Sequence, residues 1–235
     1  MGELAAGLAH ELNQPLAAIA NFSVVGEEMV QGTTVPDLDR LREVLSMLRS
    51  QSIRAAKILK RVGSFAKRAT PRRSILNLND VVQAATRLLD IDFRHGQIRL
   101  IVRLDESLPN TSADAVQLQQ VLVNLIRNAL ETIRRNATPA ANRTVTVVTQ
   151  QIGDHVEAAV LDRGPGLGEN VDQIFEPFFT TRENGMGLGL RISRSIADAY
   201  EGRLLAANRP DGGAVFRLQL PVATDHFLPE PTGEE

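Results

Sequence analysis

The chain contains no cysteine and no tryptophan, and aromatic residues make up only 4% of its 235 residues. The absence of cysteine excludes disulfides, thiolate nucleophiles and zinc–thiolate sites, and it agrees with a reducing cytoplasm. With so few aromatic side chains, stacking platforms for single-stranded nucleic acid are not expected. The formal net charge of −2 predicts no general attraction to nucleic acid or to membranes.

Long apolar runs are also missing. No stretch of roughly 18 apolar residues occurs, so the sequence predicts no membrane-spanning helix. The first residues lack the basic-then-apolar order of a signal peptide. We therefore expect a cytoplasmic chain, and its length is sufficient for two domains.

The first 70 residues are predicted to form a helical hairpin. Apolar residues recur at spacings of three and four through residues 3–31, and a heptad pattern runs through residues 38–69. Pro15 is expected to bend the first helix, and Asp37 to cap the second. The expected seam of the second helix consists of Leu41, Leu45, Leu48, Ser52, Ala55, Leu59, Val62 and Ala66. A lone hairpin leaves an apolar stripe uncovered, which predicts a homodimer with a four-helix bundle; packing onto the rest of the chain is the alternative.

The pattern changes beyond a linker that contains Pro71. Residues 75–223 are predicted to form an α/β sandwich, so the fold class is α+β, and residues 224–235 are predicted to be a disordered tail. The expected elements are a strand at 74–78, a helix at 79–93 capped by Asn79, a strand at 98–104, a helix at 114–135 with Val116 on its buried side, strands at 143–152 and 155–162, a loop at 163–187, a helix at 188–200, and strands at 202–208 and 214–220.

Two glycine clusters border the long loop. Asp162 closes an apolar strand and is followed by Gly164 and Gly166, so its carboxylate could accept a hydrogen bond from adenine while the glycines let the backbone approach the ring. A simple turn-capping Asp is the alternative. The second cluster comprises Gly185, Gly187, Leu188 and Gly189. It precedes an apolar helix whose amides and positive end suit a triphosphate, although a flexible hinge would have the same composition.

Between these clusters lie three phenylalanines, Phe175, Phe178 and Phe179. Aromatic side chains in an irregular loop predict anchors for a lid. Arg182 follows them and could reach a phosphate when the lid closes.

Asn124 and Asn128 are four residues apart on the helix predicted at 114–135. This spacing places both side chains on one helix face, where amide oxygens could ligate a Mg²⁺ ion that bridges phosphates. An asparagine pair that caps or crosses to a neighbouring strand is the alternative.

His10 is the histidine with the most suggestive neighbours. Glu11 follows it and could hold one ring N–H, which raises the basicity of the other nitrogen as a nucleophile toward phosphorus. A surface histidine on a long helix is the alternative. His95, His155 and His226 lack comparable neighbours, and no histidine pair has metal-ligand spacing.

Taken in order, these motifs resemble those of bacterial sensor histidine kinases. The resemblance covers about residues 1–223 and is greatest to the subfamily of nitrogen-fixation oxygen sensors and C4-dicarboxylate sensors. The matching segments are the phospho-acceptor box at residues 10–15, the N box at 124–129, the glycine boxes at 162–168, 185–190 and 212–216, and the F box at 175–179.

The resemblance implies a Bergerat ATP-binding fold, a mixed sheet with helices on one face. It implies transfer of the ATP γ-phosphoryl group to His10 and then to an aspartate of a response-regulator receiver domain. It further implies that Asn128 ligates Mg²⁺, that Asp162 contacts adenine and that Glu11 assists His10. Gln14 occupies the position tied to dephosphorylation of the regulator, which leaves phosphatase activity open.

Two features of the resemblance bear on alternatives. Asn124 stands where related hydrolysing ATPases carry a general base, which favours transfer over hydrolysis. His10 lies near the first residue, so we expect a catalytic core that receives its input from elsewhere or that belongs to a larger sensor. A phosphotransfer adaptor with a decayed ATP site and a Bergerat-type ATPase or chaperone remain alternative functions.

Overall fold

The structure is a computed structural model that describes residues 2–31, 37–66, 72–136, 138–168, 171–177, 179–180 and 187–223. The side chains of residues 2–11 and 57–66 lie outside the described part. Contacts divide the chain into two compact units, Met1–Thr70 and Pro71–Glu235. Among the described residues, none of the helices combines the length and the apolar character that a membrane span requires.

The first unit is a hairpin of two long helices, α1 (Gly2–Gln31) and α2 (Leu38–Ala66). Helix α1 continues through Pro15. The cap predicted at Asp37 is confirmed, because its Oδ1 accepts hydrogen bonds from the amides of Asp39 at 3.1 Å and Arg40 at 3.2 Å.

Only part of the apolar surface of this hairpin is buried within one chain. Val44 and Ala55 are buried, whereas Leu45, expected in the seam, is 55% exposed. The other large apolar side chains that remain exposed in the described part of the hairpin are Leu16, Val24, Val25, Val30, Leu38, Met47 and Ile53. The hairpin therefore carries an inner stripe and additional uncovered apolar surface.

The second unit is built from strands and shorter helices. Its elements are β1 (Ser74–Asn77), α3 (Leu78–Leu88), α4 (Asp90–Gly96), β2 (Arg99–Arg103), β3 (Asn110–Ala113), α5 (Ala115–Arg135), β4 (Thr144–Ile152), β5 (His155–Asp162), α6 (Gly189–Ala199), β6 (Arg203–Asn208) and β7 (Ala214–Pro221), with short 3₁₀ turns at Ala140–Asn142 and Val171–Phe175.

A mixed five-stranded sheet forms the framework of this unit. Its strand order is β2-β4-β5-β7-β6, in which β2 and β4 run parallel and the other pairs run antiparallel. Strands β1 and β3 form a separate antiparallel pair. Alternate side chains such as Val145 and Val147 are buried under α3, α5 and α6, so the helices cover one face, the inner face. The opposite face is called the outer face below.

Three sequence predictions about this unit are wrong: the cap at Asn79, the single helix over residues 79–93 and the burial of Val116. The cap of α3 is Asn77, whose Oδ1 accepts from the amide of Asn79 at 2.9 Å, and the predicted single helix divides at Leu89 into α3 and α4. Asn79 instead donates to the Asp105 carbonyl at 2.8 Å. Val116 is 71% exposed, because it lies in the first turn of α5 on the side away from the sheet.

Candidate nucleotide-binding site

Asp162 lies at the end of β5 with its side chain on the inner face. The residue is only 3% exposed. Its Oδ1 accepts hydrogen bonds from the amides of Gly164 at 2.8 Å and Ala214 at 3.3 Å. Among the described residues, no donor lies within hydrogen-bond distance of Oδ2. A buried carboxylate oxygen without a partner is costly, so it marks a place where a ligand donor would fit.

The electrostatics of Asp162 agree with this geometry. Burial raises the pKa of the Asp162 carboxyl, and the amides of Gly164 and Ala214 together with the charge of Arg209 oppose that rise. The effect of burial on the pKa is therefore larger than the combined effect of the two amides and the Arg209 charge, which lower it. An external N–H donor would stabilise the charged form, as the exocyclic amine of adenine could.

The glycines after Asp162 permit close approach of the backbone. Gly166 has φ +92, and a Cβ there would lie 2.7 Å from Oδ1 of Asn208. A Cβ on Gly164 would lie 2.8 Å from Cγ2 of Thr132 on α5. The loop therefore has space for glycine at both positions and for no larger residue without displacement.

Asn208 holds this loop, and sequence reasoning missed it. Its Oδ1 accepts from the amide of Leu167 at 2.7 Å, and its Nδ2 donates to the carbonyl of Gly168 at 2.9 Å. Asn208 is the last residue of β6, forty residues away in the chain from the loop it contacts. The only signal in the sequence was a polar residue that ends an apolar strand.

Arg209 forms a hydrogen bond with the last residue of β5. Its Nη1 donates to the carbonyl of Asp162 at 2.9 Å, and its Nη2 pairs with Asp211 at 2.5 Å. Next to it, a Cβ on Gly213 would overlap the Asp162 carbonyl oxygen. The turn at residues 209–213 therefore packs directly against the residue that carries the unpartnered oxygen.

Asn124 lies where α5 crosses α6. Its Nδ2 donates to Oγ of Ser193 at 3.0 Å, and a Cβ on Gly189 would lie 2.6 Å from its Oδ1. Gly189 is the first residue of α6, so Asn124 sits directly beside the start of that helix. Asn124 therefore makes a contact between two elements, as in the alternative to Mg²⁺ ligation given above, but its partner is a helix and not a strand.

Asn128 follows one turn later on α5 and is half-buried. On the same side of α5, Thr132 approaches Gly164. The spacing thus aligns Asn124, Asn128 and Thr132 along one face of α5, toward the loop and the start of α6.

The second glycine cluster is described only in part. Gly185 and Arg182 lie outside the described residues. Gly187 has φ +62, which favours glycine. Leu188 is 3% exposed and precedes the first turn of α6, so it can contribute only its backbone to a ligand. The positive end of α6 then lies beside Asn124.

The phenylalanine cluster is divided in the structure. Phe175 is buried in the core of the second unit, with Arg194 stacked 5.2 Å from its ring centroid. Phe179 is 37% exposed, and Phe178 lies outside the described residues. One phenylalanine therefore anchors the loop to the body of this unit.

The predicted phospho-acceptor residues lie on the first unit. His10 and Glu11 belong to α1, and their side chains are outside the described part. Gln14 follows on the same helix and is exposed.

Comparison with known families agrees with this arrangement. Residues 113–224 match the model of the histidine kinase-, DNA gyrase B- and HSP90-like ATPases, which defines the second unit as an ATPase domain of that class. Residues 1–71 match the model of the His Kinase A (phospho-acceptor) domain. With both domains present in this order, the chain belongs to the sensor histidine kinases.

Individual relatives are similar over almost the whole length of this chain. The chain is 38% identical over 227 residues to the sensor protein FixL of Bradyrhizobium diazoefficiens, covering 96% of this chain and 44% of FixL. It is 38% identical over 223 residues to the C4-dicarboxylate transport sensor protein DctS of Rhodobacter capsulatus, covering 94% of this chain and 34% of DctS. The chain thus spans less than half the length of these relatives, and the subfamily predicted from the motifs is confirmed.

A solved structure shows a similar fold over most of the chain. Histidine kinase ThkA, in complex with the response regulator protein TrrA, is similar with a TM-score of 0.64 and 25% identity. The match covers 94% of this chain and 62% of that chain. The predicted fold class, a helical region followed by an α/β ATPase domain, is confirmed.

The described residues fit ATP. The unpartnered Oδ2 of Asp162 matches an adenine amine, and the glycines at 164, 166 and 189 allow the close packing of the backbone around it. The amide oxygen of Asn128 is the donor type that Mg²⁺ accepts. Among the described residues there is no cluster of three or more His, Cys, Asp or Glu side chains that could hold a metal alone, so a Mg²⁺ ion here would depend on phosphate oxygens as well.

Proposed function

We propose that this chain is the catalytic core of a two-component sensor histidine kinase. It uses ATP and Mg²⁺ to phosphorylate His10 and then passes the phosphoryl group to an aspartate of a response-regulator receiver domain. The single observation that carries the proposal is the buried carboxylate of Asp162, which has one oxygen held by two amides and the other available to adenine.

Asp162 selects the nucleotide in this proposal. Its Oδ2 accepts a hydrogen bond from the exocyclic amine of adenine, and the loop held by Asn208 lies beside the ring. A hydrogen bond to a charged group contributes about 1.5–3 kcal/mol. Nucleotides without that amine should therefore bind less tightly.

The phosphate end lies where α5 meets α6. The backbone amides at Gly187, Leu188 and Gly189 and the positive end of α6 face the phosphates. Asn128 supplies an oxygen ligand for Mg²⁺, whose role when bound is to neutralise charge on the phosphates. Arg182 is proposed to add a further cation from the loop.

His10 is the acceptor. One imidazole nitrogen forms the new N–P bond as the bond from the γ-phosphorus to the bridging oxygen breaks, and ADP leaves with that oxygen. Glu11 holds the proton on the other ring nitrogen, which keeps the attacking lone pair available. Asn124 cannot act as a general base toward water, so transfer to His10 is favoured over hydrolysis.

The partners follow from the two domains. The uncovered apolar side chains of the hairpin favour a homodimer. A receiver domain is the proposed second partner, by analogy with the ThkA complex with its response regulator TrrA. Gln14 is proposed to act in dephosphorylation of that receiver. The cysteine-free composition favours a cytoplasmic location for this part of the protein.

The experiment is incubation of the purified chain with γ-labelled ATP and Mg²⁺. We expect label on the protein that is stable to base and labile to acid, as for a phosphoramidate. His10→Ala should remove the label, whereas His95→Ala, which alters an exposed histidine on α4, should retain it.

Two outcomes would contradict the proposal. Label that persists in His10→Ala would remove His10 from its role. Steady phosphate release with no covalent label would instead support the alternative of a Bergerat-type ATPase. An adaptor with a decayed site predicts no ATP binding at all, which calorimetry would reveal.

A further inference from the structure

The outer face of the sheet carries a cleft that the proposed reaction does not use. Its volume is about 370 Å³, which lies in the range of small-molecule sites. It lies on the side of the sheet away from the helices that form the candidate nucleotide site. Its polar lining residues are Arg99, Arg103, Thr144, Thr146, Arg163 and Arg209.

The cleft is strongly positive although the whole chain has a net charge of −2. Its lining includes four arginines and no carboxylate. Arg209 is neutralised by Asp211 at 2.5 Å. The guanidinium groups of Arg99, Arg103 and Arg163 have no hydrogen-bond or ion-pair partner within the described part of the chain. Three uncompensated guanidinium groups therefore share one concave surface.

The sheet register brings two of these arginines together. Arg99 pairs with Thr144 across β2 and β4, and Asp162 pairs with Val145 across β4 and β5. Because Arg163 follows Asp162, continuing the register places it on the other side of Thr144. Arg99 and Arg163 are thus two strand spacings apart, on the order of 10 Å between Cα atoms. Their long side chains can reach one ligand, with the Thr144 hydroxyl between them.

We infer that this cleft binds a small molecule that carries at least two phosphate groups. Guanidinium groups recognise phosphate oxygens through paired, charge-assisted hydrogen bonds, and threonine hydroxyls add neutral donors. The lining includes no aromatic residue, so it offers no stacking surface for a base, and recognition depends on charge. The volume suits a compact ligand rather than a polymer.

The site also lies directly behind the candidate nucleotide site. Arg209 lines the cleft and donates to the carbonyl of Asp162, whose side chain points to the opposite face of the sheet. Arg163 is the next residue after Asp162. A ligand in the cleft would therefore contact the same strand end that carries the adenine-binding carboxylate.

The test is calorimetric titration of inorganic pyrophosphate into the full chain saturated with ADP. Filling the nucleotide site first prevents pyrophosphate from binding there, and about 150 mM KCl screens non-specific attraction. We expect saturable binding to one site per chain. Arg99→Gln and Arg163→Gln should each weaken it about tenfold, the effect of one lost charge-assisted contact. Arg87→Gln, which removes an exposed arginine on α3, is the matched control and should leave it unchanged.

Three results would overturn the inference: no saturable heat, equal weakening by Arg87→Gln, or wild-type affinity in both cleft variants. If a glutamine variant fails to fold, Arg163→Lys keeps the charge but loses the paired hydrogen bonds, and it should show intermediate affinity. ADP binding is measured first on the same samples. If ADP did not bind, the result would count against the proposed kinase function. The pyrophosphate affinities of the arginine variants would still show whether the cleft is a phosphate-binding site.

Discussion

At the scale of single residues, Asp162 combines a cost in stability with a role in binding. Since the folded pKa is raised above the ordinary value of 3.8, the folded chain takes up this proton at a higher pH than the unfolded chain does. Stability is therefore gained as the pH falls from the raised pKa toward 3.8, and it is lower above that window. At neutral pH the buried charge destabilises the fold.

Because the buried charge of Asp162 destabilises the fold at neutral pH, its removal in Asp162→Asn leads to a prediction. The variant keeps the acceptor for Gly164 and Ala214 but removes the buried charge, so at pH 7 and without nucleotide we expect it to be more stable than wild type. The gain should shrink as the pH approaches 3.8. Thermal unfolding across pH measures it, with Asp198→Asn, an exposed aspartate on α6, as the control. A variant that is less stable at pH 7 would show that the charge is compensated within the protein.

Asn208 should matter for binding more than for folding. Asn208→Ala removes both hydrogen bonds that hold Leu167 and Gly168. Because Asn208 is exposed, the loss in unfolding free energy should be about 1 kcal/mol, whereas the loosened loop should lower ATP affinity severalfold. Calorimetric titration with ATP and thermal unfolding separate the two effects. Asn142→Ala, an exposed asparagine away from the loop, should change neither, and unchanged ATP affinity in Asn208→Ala would contradict the role assigned to it.

At the scale of elements, the crossing of α5 and α6 depends on a glycine. In Gly189→Ala the new Cβ would lie 2.6 Å from Oδ1 of Asn124, so either the Asn124 side chain must leave its hydrogen bond to Ser193 or the helices must separate. We expect a loss of about 1–3 kcal/mol in unfolding free energy and weaker ATP binding. Ser193→Ala removes only the hydrogen bond across the same crossing and should cost less in both measurements. If Ser193→Ala lost more stability and ATP affinity than Gly189→Ala, α6 would not be positioned by close packing against Asn124.

The segment that enters the second unit is also anchored to α5 and α6. The amide of Arg72 donates to Asp114, the cap of α5, at 3.1 Å. Arg73 donates to the carbonyl of Ala199 at 2.7 Å and lies 5.2 Å from the ring centroid of Tyr200. The chain therefore begins its second unit in contact with the ends of both helices that form the candidate phosphate site.

Loss of this anchor should loosen the end of α6. In Arg73→Ala we expect faster hydrogen exchange at residues 199–202, because a carbonyl partner and a stacked cation are both removed. Arg87→Ala, on α3, is the control. Unchanged exchange in this segment would show that Arg73 contributes nothing to holding the helix end.

The helices and strands also show which parts of the fold can be predicted from the sequence. Strand β5 was predicted with its observed bounds, because apolar side chains alternate and Asp162 follows them. Strand β3 was missed, since Asn110–Ala113 is short and polar and is specified by its pairing with β1. The cap at Asn77 was assigned to Asn79 because two asparagines lie two residues apart, and only packing decides between them. Asn208 and Arg209 act over long separations in the chain, which no local pattern reports.

At the scale of the whole molecule, the hairpin should associate. Leu45 is 55% exposed and Ile53 is 49% exposed within a single chain. In a four-helix bundle such side chains are covered, so Leu45→Glu should shift the protein toward a monomer. Light scattering coupled to size-exclusion chromatography measures the mass. Arg49→Glu, at an exposed charged position on α2, is the matched control, and a wild type that is monomeric at all concentrations would rule out the dimer.

The most direct test of nucleotide recognition compares the affinities of ATP and inosine triphosphate, which carries a carbonyl oxygen in place of the exocyclic amine. If Oδ2 of Asp162 accepts from that amine, wild type should bind ATP at least about tenfold more tightly, and Asp162→Asn should abolish that preference. Equal affinities in wild type, or a preference that survives in Asp162→Asn, would contradict the assignment of this carboxylate as the adenine-binding group.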